Sequence, residues 1–264
     1  MDSRKTNLYL AEIPPFVGPL NSDPFTSVTP LITDGQGNFK ITVKRLTASA
    51  RQRRDRLFSR WAVVCSQDGI WQWLSAARYA DSVAVRWRLP AESPRSKKGL
   101  SGFSANREYE NDLDELGIAS VTVNIVLDQL IHDSSGPHRK AFVFGGRTWF
   151  LDKAYVSTLD RTLRETARRH IIVSAIILVA PAGRFPESRY ARQLAYPGAT
   201  PAGIYVMPNL TSRDGFMAFA AALDFLCQRY SRPHGRHARI DNWILGNEVD
   251  SGWVWTNAGE QTAL

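Results

Sequence analysis

Residues 241–257 contain side chains whose types and order suit chemistry on a sugar. An apolar run at residues 243–245 ends at Gly246 and is followed at once by Asn247 and Glu248. At the low-dielectric end of a buried strand, a carboxyl group holds its proton more firmly and can serve as a general acid. The order of these residues therefore predicts that Glu248 is a catalytic acid and that Asn247 binds a sugar hydroxyl beside it.

Aromatic side chains follow this motif and offer a surface for a sugar ring. Trp253 and Trp255 come shortly after Glu248, and an indole presents a flat apolar face. Asn124, near the end of an earlier predicted strand, either lines the same pocket or faces the core. A protein that binds sugar without transforming it would use Trp253, Trp255 and Trp149.

Acid catalysis on a sugar generally uses a second carboxylate near the acid. Asp128, Asp250 and Glu260 are the acidic candidates, but their positions favour solvated or capping roles. The H-x-x-H pair of His234 and His237 lies in a loop rich in glycine, arginine and proline, which does not favour metal binding. The sequence also lacks the glycine-rich phosphate-binding motifs and the G-x-S-x-G elbow. We expect no metal ion and no cofactor.

The elements that must position these residues alternate between strand and helix in the second part of the chain. The predicted strands are 99–104, 120–127, 171–179 and 241–249, and the predicted helices are 107–116, 152–170 and 212–230. Such alternation is typical of parallel strands buried on both faces. A hairpin at 141–150 turns at Gly145-Gly146. The long loops 128–150 and 181–210 follow strands, so we expect the active site at the carboxyl ends of the strands.

The first part of the chain reads as a small antiparallel, sandwich-like β region. Its predicted strands are 8–13, 39–46, 58–65, 70–74 and 82–87, and residues 90–98 read as a linker. We therefore predict domains at 1–95 and 96–264. Residues 1–100 hold 16 Lys and Arg against 8 Asp and Glu, while the rest is balanced at 17 against 17. The basic cluster at 51–60 could contact nucleic acid, but without a recognition motif a solvated loop is favoured.

Composition sets further bounds on the function. The chain has 264 residues, of which 44% are hydrophobic and 22% charged, as expected for a globular protein. The longest apolar run, 171–180, is too short to cross a bilayer, and the first residues lack the apolar core of a signal peptide. We expect no membrane partner and leave the cellular location open. Cys65 and Cys227 are predicted to be small buried side chains.

Three segments, MPNLTSRDG, ALDFLCQRYSRP and NWILGNEVDSGWVWTNAG, resemble a bacterial family catalogued as a domain of unknown function. That family is in turn similar to the clan A glycoside hydrolases, which are TIM (β/α)8 barrels, and the resemblance covers about residues 97–264. It implies that Glu248 is the acid/base of a retaining reaction and that Asn247 contacts the substrate 2-hydroxyl. It also implies a nucleophile at the end of a seventh strand.

The fold expected from this resemblance is α/β: the first half of a TIM barrel, with four parallel strands, after a small antiparallel β domain. The expected function is hydrolysis of O-glycosidic bonds in a poly- or oligosaccharide, incomplete in this chain because the seventh strand is missing. The alternative is a non-catalytic carbohydrate-binding module. Four strands would leave an unpaired sheet edge, which predicts self-association.

Overall fold

The computed structural model describes residues 7–18, 24–48, 54–82, 84, 92–105, 111–182, 189–200, 203–232, 237–249 and 255–257. The chain divides into two compact units, Met1–Arg86 and Trp87–Leu264. The domain boundary predicted from the sequence lay near residue 95.

The N-terminal unit contains an antiparallel sheet in the order β2-β1-β3-β4. Its strands are β1 (Leu8–Ile13), β2 (Ser27–Pro30), β3 (Arg60–Gln67) and β4 (Ile70–Trp73). The strands predicted at 58–65 and 70–74 pair as β3 and β4, and Asp68 and Gly69 form the turn between them with φ of 51° and 79°. The short strand β2 was not predicted, because four residues carry too little periodicity to be recognised.

The strand predicted at residues 39–46 is wrong, although its side chains alternate. Residues 38–45 form no ladder with a strand, and the only pairing there is a bridge between Leu46 and Asp55. Alternating apolar and polar side chains stabilise a strand only where a partner strand is present. Residues 39–45 lie outside the sheet β2-β1-β3-β4. Residues 82 and 84 are also irregular, and the remainder of the strand predicted at 82–87 lies outside the described residues.

Two arginines of the predicted basic cluster lie inside this unit and neutralise a buried glutamate. Glu12 is 2% exposed, and its carboxylate oxygens lie 2.7 Å from Nη2 of Arg54 and 2.7 Å from Nη2 of Arg56. Ser59 and Ser27 donate hydroxyl hydrogen bonds to the same carboxylate at 2.7 and 2.9 Å. Arg54 and Arg56 of the basic cluster therefore form ion pairs inside the unit and do not belong to a solvated loop.

The second unit has the predicted strand–helix alternation with a three-stranded antiparallel sheet inserted into it. Its elements are β5 (Gly99–Leu100), α1 (Asp112–Glu115), β6 (Ser120–Val126), α2 (Leu127–Leu130), β7 (Ile131–His132), β8 (Arg139–Phe144), β9 (Arg147–Asp152), α3 (Lys153–Arg168), β10 (Ile172–Leu178), α4 (Arg189–Leu194), α5 (Arg213–Tyr230) and β11 (Asn242–Ile244). The helix predicted at 107–116 is described only as α1, since residues 106–110 lie outside the described residues.

The parallel sheet follows the order of the chain, β5-β6-β10-β11, with every neighbouring pair parallel. One face packs on the long helices: alternate residues of β6 and β10 share a core with Leu163 of α3 and Leu226 of α5. The opposite face carries Asn124 and Asn242, both exposed. The expectation that both faces are buried is therefore wrong. Strands in sequential order with crossovers of one hand place their helices on one side of the sheet.

The uncovered face has a polar layer that crosses the whole sheet. Ser174 of β10 is paired in register with Thr122 of β6 and with Asn242 of β11. The Asn242 side chain donates to the Ser174 hydroxyl at 3.2 Å, and Ser101 lies 3.2 Å from Thr122, hydroxyl to hydroxyl. Polar side chains of adjacent strands thus bind one another on the face that no helix of the described residues covers.

The inserted sheet has the order β7-β9-β8 and contains the hairpin predicted from the sequence. Gly145 and Gly146 form its turn with φ of 61° and 77°, values that favour glycine. Trp149 in β9 is 0% exposed, and its indole Nε1 donates to the Phe144 carbonyl at 3.2 Å. Trp149 is therefore a core residue, which excludes the sugar-stacking role predicted for it.

Both long helices begin within one residue of their predicted starts, each at a side-chain cap. Asp152 accepts a hydrogen bond from the Tyr155 amide at 2.7 Å, and Ser212 accepts from the Gly215 amide at 3.1 Å. Cys65 is buried as predicted, but Cys227 is exposed because α5 turns Ala218, Ala222 and Leu226 toward the core instead. Within the described ranges, no helix is both long and apolar enough to cross a membrane.

Candidate functional site

The register of the parallel sheet brings the candidate residues to one edge. Ile176 of β10 is paired with Asn124 of β6 and with Ile244 of β11. Past the strand ends, Asp128 follows β6, Ala180 follows β10 and Glu248 follows β11. The carboxyl ends of parallel strands are the usual place for a site in α/β folds.

Glu248 lies beyond the end of β11, in a bend that follows Ile244. The side chain of Glu248 is exposed, although the sequence predicted apolar surroundings for it. Asn247 beside it is half-buried. The backbone of Glu248 has a φ of 42°, in the left-handed region that residues other than glycine seldom adopt. Such conformations cluster at functional sites, because the local structure must hold them against their cost.

The chain that follows Glu248 is held against the long loop after β10. Trp255 stacks on Tyr205 with ring centroids 5.5 Å apart and planes 11° apart. The Met207 amide donates to the Thr256 carbonyl at 2.6 Å. The loops after β10 and β11 are therefore joined at the carboxyl edge of the sheet, with the half-buried Trp255 between them.

Further contacts fix the same junction. Asn257 accepts hydrogen bonds at 3.1 Å from both the amide and the hydroxyl of Thr200. A Cβ on Gly203 would lie 2.6 Å from Nδ2 of Asn257, so this glycine permits the close approach. Trp253, Asp250 and Glu260 lie outside the described residues.

Asn124 belongs to the uncovered face of the sheet and not to the helix-facing core. It is exposed, whereas its neighbours Val123 and Ile125 are 3% and 0% exposed and pack toward the helices. Asn124 therefore lies on the face opposite the long helices, and its place in a substrate pocket stays a prediction. It lies two residues beyond Thr122 of the polar layer, toward the carboxyl edge.

Asp128 is a buried structural carboxylate and not a solvated one. It is 1% exposed, and its Oδ1 accepts a hydrogen bond from the amide of Ala180 at 2.9 Å. This bond joins the end of β6 to the start of the long loop after β10. Asp128 therefore positions the loop that carries Tyr205.

We expect Asp128→Ala to lower the free energy of unfolding of the second unit by about 1–3 kcal/mol, because the buried Ala180 amide loses its acceptor. Asp128→Asn keeps a carbonyl oxygen in place and is the matched control, with a smaller loss. Urea unfolding of the three proteins measures the difference. Equal stability of Asp128→Ala and wild type would contradict the role given to this bond.

Tyr155 of α3 supports the same edge. Its hydroxyl oxygen accepts a hydrogen bond from the Val126 amide at 2.8 Å. Burial raises the pKa of Tyr155, and the electrostatic influence of Asp128 and Tyr205 acts in the same direction. The phenol therefore stays neutral at physiological pH and serves as a fixed hydrogen-bonding group behind the site.

The histidines do not form a metal centre in the part of the chain that the structure describes. His237 Nδ1 lies 3.4 Å from the Asp160 carboxylate, which also accepts from the Tyr230 hydroxyl at 2.8 Å. His234 lies outside the described residues. In the described ranges, no three His, Cys, Asp or Glu side chains converge as metal ligands would.

Sequence reasoning missed Tyr155 and Tyr205 as members of this edge. Tyr155 lies on an amphipathic helix, where an aromatic side chain reads as an ordinary core residue. Tyr205 lies in a loop whose sequence has no periodic pattern. Their connection to Asp128 and Trp255 depends on contacts between distant segments. The available signal was weak: an isolated aromatic residue in a long loop rich in proline and glycine.

Comparison with known proteins gives a family for the second unit. Residues 90–264 match the model of a family described as "Family of unknown function (DUF5722)". The chain belongs to this family. The DUF5722 segment covers the parallel sheet, its helices and the inserted sheet, so the candidate site lies inside the family's region. No curated protein matches the chain.

Among solved structures, there is a faint likeness to pullulanase type I from Bacillus subtilis str. 168 complexed with maltose. The TM-score is 0.20 and the identity 10%, over 70% of this chain and 32% of that chain. The chain thus spans about a third of the pullulanase. A likeness at this level carries no argument about fold or function.

Proposed function

We propose that the DUF5722 unit is a glycoside hydrolase-like domain that acts on O-glycosidic bonds of a poly- or oligosaccharide. Glu248 is its acid/base, and Asn247 holds a substrate hydroxyl. Trp255, with Trp253 as its companion, offers an apolar face to a sugar ring, and Asn124 contributes a polar group on the open face. The proposal rests above all on the strained backbone of Glu248 at the carboxyl edge of the parallel sheet.

The sheet topology supports a barrel as the setting for this chemistry. Strands in sequential order, with long helices on one face, are what the first half of a (β/α)8 barrel contains. The face without helices then corresponds to the barrel interior, where layers of side chains from several strands meet. The polar layer through Thr122, Ser174 and Asn242 would lie in such an interior.

A retaining reaction requires a nucleophile, and the described residues at this edge do not supply one. Asp128 is buried and engaged with the Ala180 amide, so it is not free to attack a sugar carbon. We therefore assign the nucleophile to a strand from the other half of a complete barrel. By this proposal, Glu248 can protonate a leaving group only where that half is present.

Leaving-group dependence tests the role of Glu248. In a relative with the whole barrel, Glu→Gln in the same Gly-Asn-Glu motif should lower kcat/KM for alkyl glycosides about 10²–10⁴-fold. Dinitrophenyl glycosides, whose leaving group needs no proton, should react nearly as before. Equal loss on both substrate classes would contradict the acid role.

Binding without chemistry is the second candidate, favoured by the stacked pair of Tyr205 and Trp255. Oligosaccharides titrated against tryptophan fluorescence should then bind to wild type and to Glu248→Gln alike, and fail to bind to Trp255→Ala. Trp73→Ala is the matched control, since Trp73 is 41% exposed in the N-terminal unit. Loss of binding in Glu248→Gln would favour the catalytic site.

A further inference from the structure

The N-terminal unit contains a groove of about 310 Å³ on the face of its sheet that carries Glu12. Leu10 and Trp61 form its floor, and Ile41, Val43 and Leu57 form its apolar walls. Ligand sites in proteins span roughly 300–1,000 Å³ and are mostly apolar with a few placed polar groups. The size and lining of this groove therefore suit a ligand of one or two rings.

The rim of the groove is basic. Lys44, Arg45 and Arg56 line it, and the Arg56 guanidinium lies 5.2 Å from the centroid of the Trp61 ring. This cation–π contact, together with the ion pair from Arg56 to Glu12, holds the indole in place without a ligand. The groove is therefore preformed, which lowers the entropic cost of binding.

The charges around the groove do not cancel. Glu12 is shared by Arg54 and Arg56, and Asp55 lies 2.7 Å from Nη2 of Arg45. The cluster, with Lys44, thus holds four basic and two acidic groups. Within the described residues, the Lys44 ammonium has no carboxylate within ion-pair distance. Two positive charges remain at the mouth of an apolar groove, where a negative charge on a ligand would complement them.

We propose that this groove binds a small amphipathic carboxylate, with its apolar ring against Trp61 and its carboxylate at Lys44. Aliphatic walls do not favour a neutral sugar, whose hydroxyls need hydrogen-bonding partners. Single-stranded nucleic acid needs successive stacking platforms along a basic track. Here the groove offers one indole, and Arg54 and Arg56 are already bound to Glu12.

A charge series of one ring system tests this site with the full chain. Calorimetric titrations compare 2-naphthoate, the neutral 2-naphthalenemethanol and the cationic 2-naphthylmethylammonium. We expect the carboxylate to bind about tenfold more tightly than the alcohol, and the ammonium to bind most weakly. Equal affinity of carboxylate and alcohol, or no binding of either, would overturn the proposal. Binding of an oligothymidylate without binding of naphthoate would also overturn it, in favour of nucleic acid.

Matched variants localise the effect. Lys44→Glu should weaken naphthoate binding about tenfold or more, whereas Lys140→Glu changes the net charge equally on the exposed surface of β8 and should leave it unchanged. Equal losses in both variants would show that only net charge matters and would overturn the site. Val43→Asp should abolish binding by placing a carboxylate in the wall, with Val143→Asp, 71% exposed, as its control. Retained binding in Val43→Asp would likewise overturn it.

Discussion

Glu12→Gln is expected to lower the free energy of unfolding of the N-terminal unit by about 3–5 kcal/mol, because it leaves two buried guanidinium groups without their counter-charge. Arg54 and Arg56 lie at 9% and 16% side-chain exposure, so water can replace the lost carboxylate only in part. Hydrogen exchange of the β1 and β3 amides measures the local free energy of unfolding. Arg45→Gln is the control, since its pair with Asp55 is exposed on the arginine side and worth about 1 kcal/mol or less.

The same carboxylate makes the stability of this unit dependent on acid. Burial by itself raises the pKa of Glu12, but hydrogen bonds from the two guanidinium groups and two serine hydroxyls outweigh it and lower the pKa to about 2 from an ordinary 4.5. A lowered pKa in the folded state stabilises the protein above the unfolded value, and this stability is lost as the pH falls from about 4.5 toward 2. The contribution is about 3 kcal/mol.

Wild type and Glu12→Gln should therefore differ most at pH 5 and above, and their unfolding free energies should converge as the pH falls toward about 2. Exchange rates of the same amides, followed over this pH range, give both curves. A difference that stays constant with pH would mean that Glu12 does not act through its charge.

Trp149→Ala is expected to lower the free energy of unfolding of the second unit by about 3–5 kcal/mol, because it removes a fully buried indole from the core. It also leaves the Phe144 carbonyl without the Nε1 donor. Urea unfolding followed by far-UV circular dichroism measures the loss. Val143→Ala on the neighbouring strand is the control, since Val143 is 71% exposed and its truncation should change stability by about 0.5 kcal/mol or less.

The Trp149 experiment also separates a core role from a sugar-binding one. Trp149→Phe keeps much of the buried ring and should recover part of the stability lost in Trp149→Ala. Neither variant should alter oligosaccharide affinity under conditions where it is folded. Unchanged stability together with lost sugar binding would show that Trp149 faces a ligand and not the core.

The local pattern of the chain was enough to predict most of the second unit. Continuous apolar runs predicted β6 and β10, the helical spacing of apolar side chains predicted α3 and α5, and paired glycines predicted the turn between β8 and β9. Each of these features depends on neighbours within a few residues, so sequence alone contains the information. The same reasoning failed at residues 39–46, where alternation was present but a partner strand was not.

The sequence by itself determined that this protein has a β unit, an alternating α/β unit and a Gly-Asn-Glu motif after the last predicted strand. Only the tertiary structure decided that Trp149 is buried, that Arg54 and Arg56 serve Glu12, and that Trp255 meets Tyr205. Local elements follow from periodicity and caps, which short stretches of chain encode. Burial and charge pairing instead join residues that are distant in sequence, so they follow from which elements pack together.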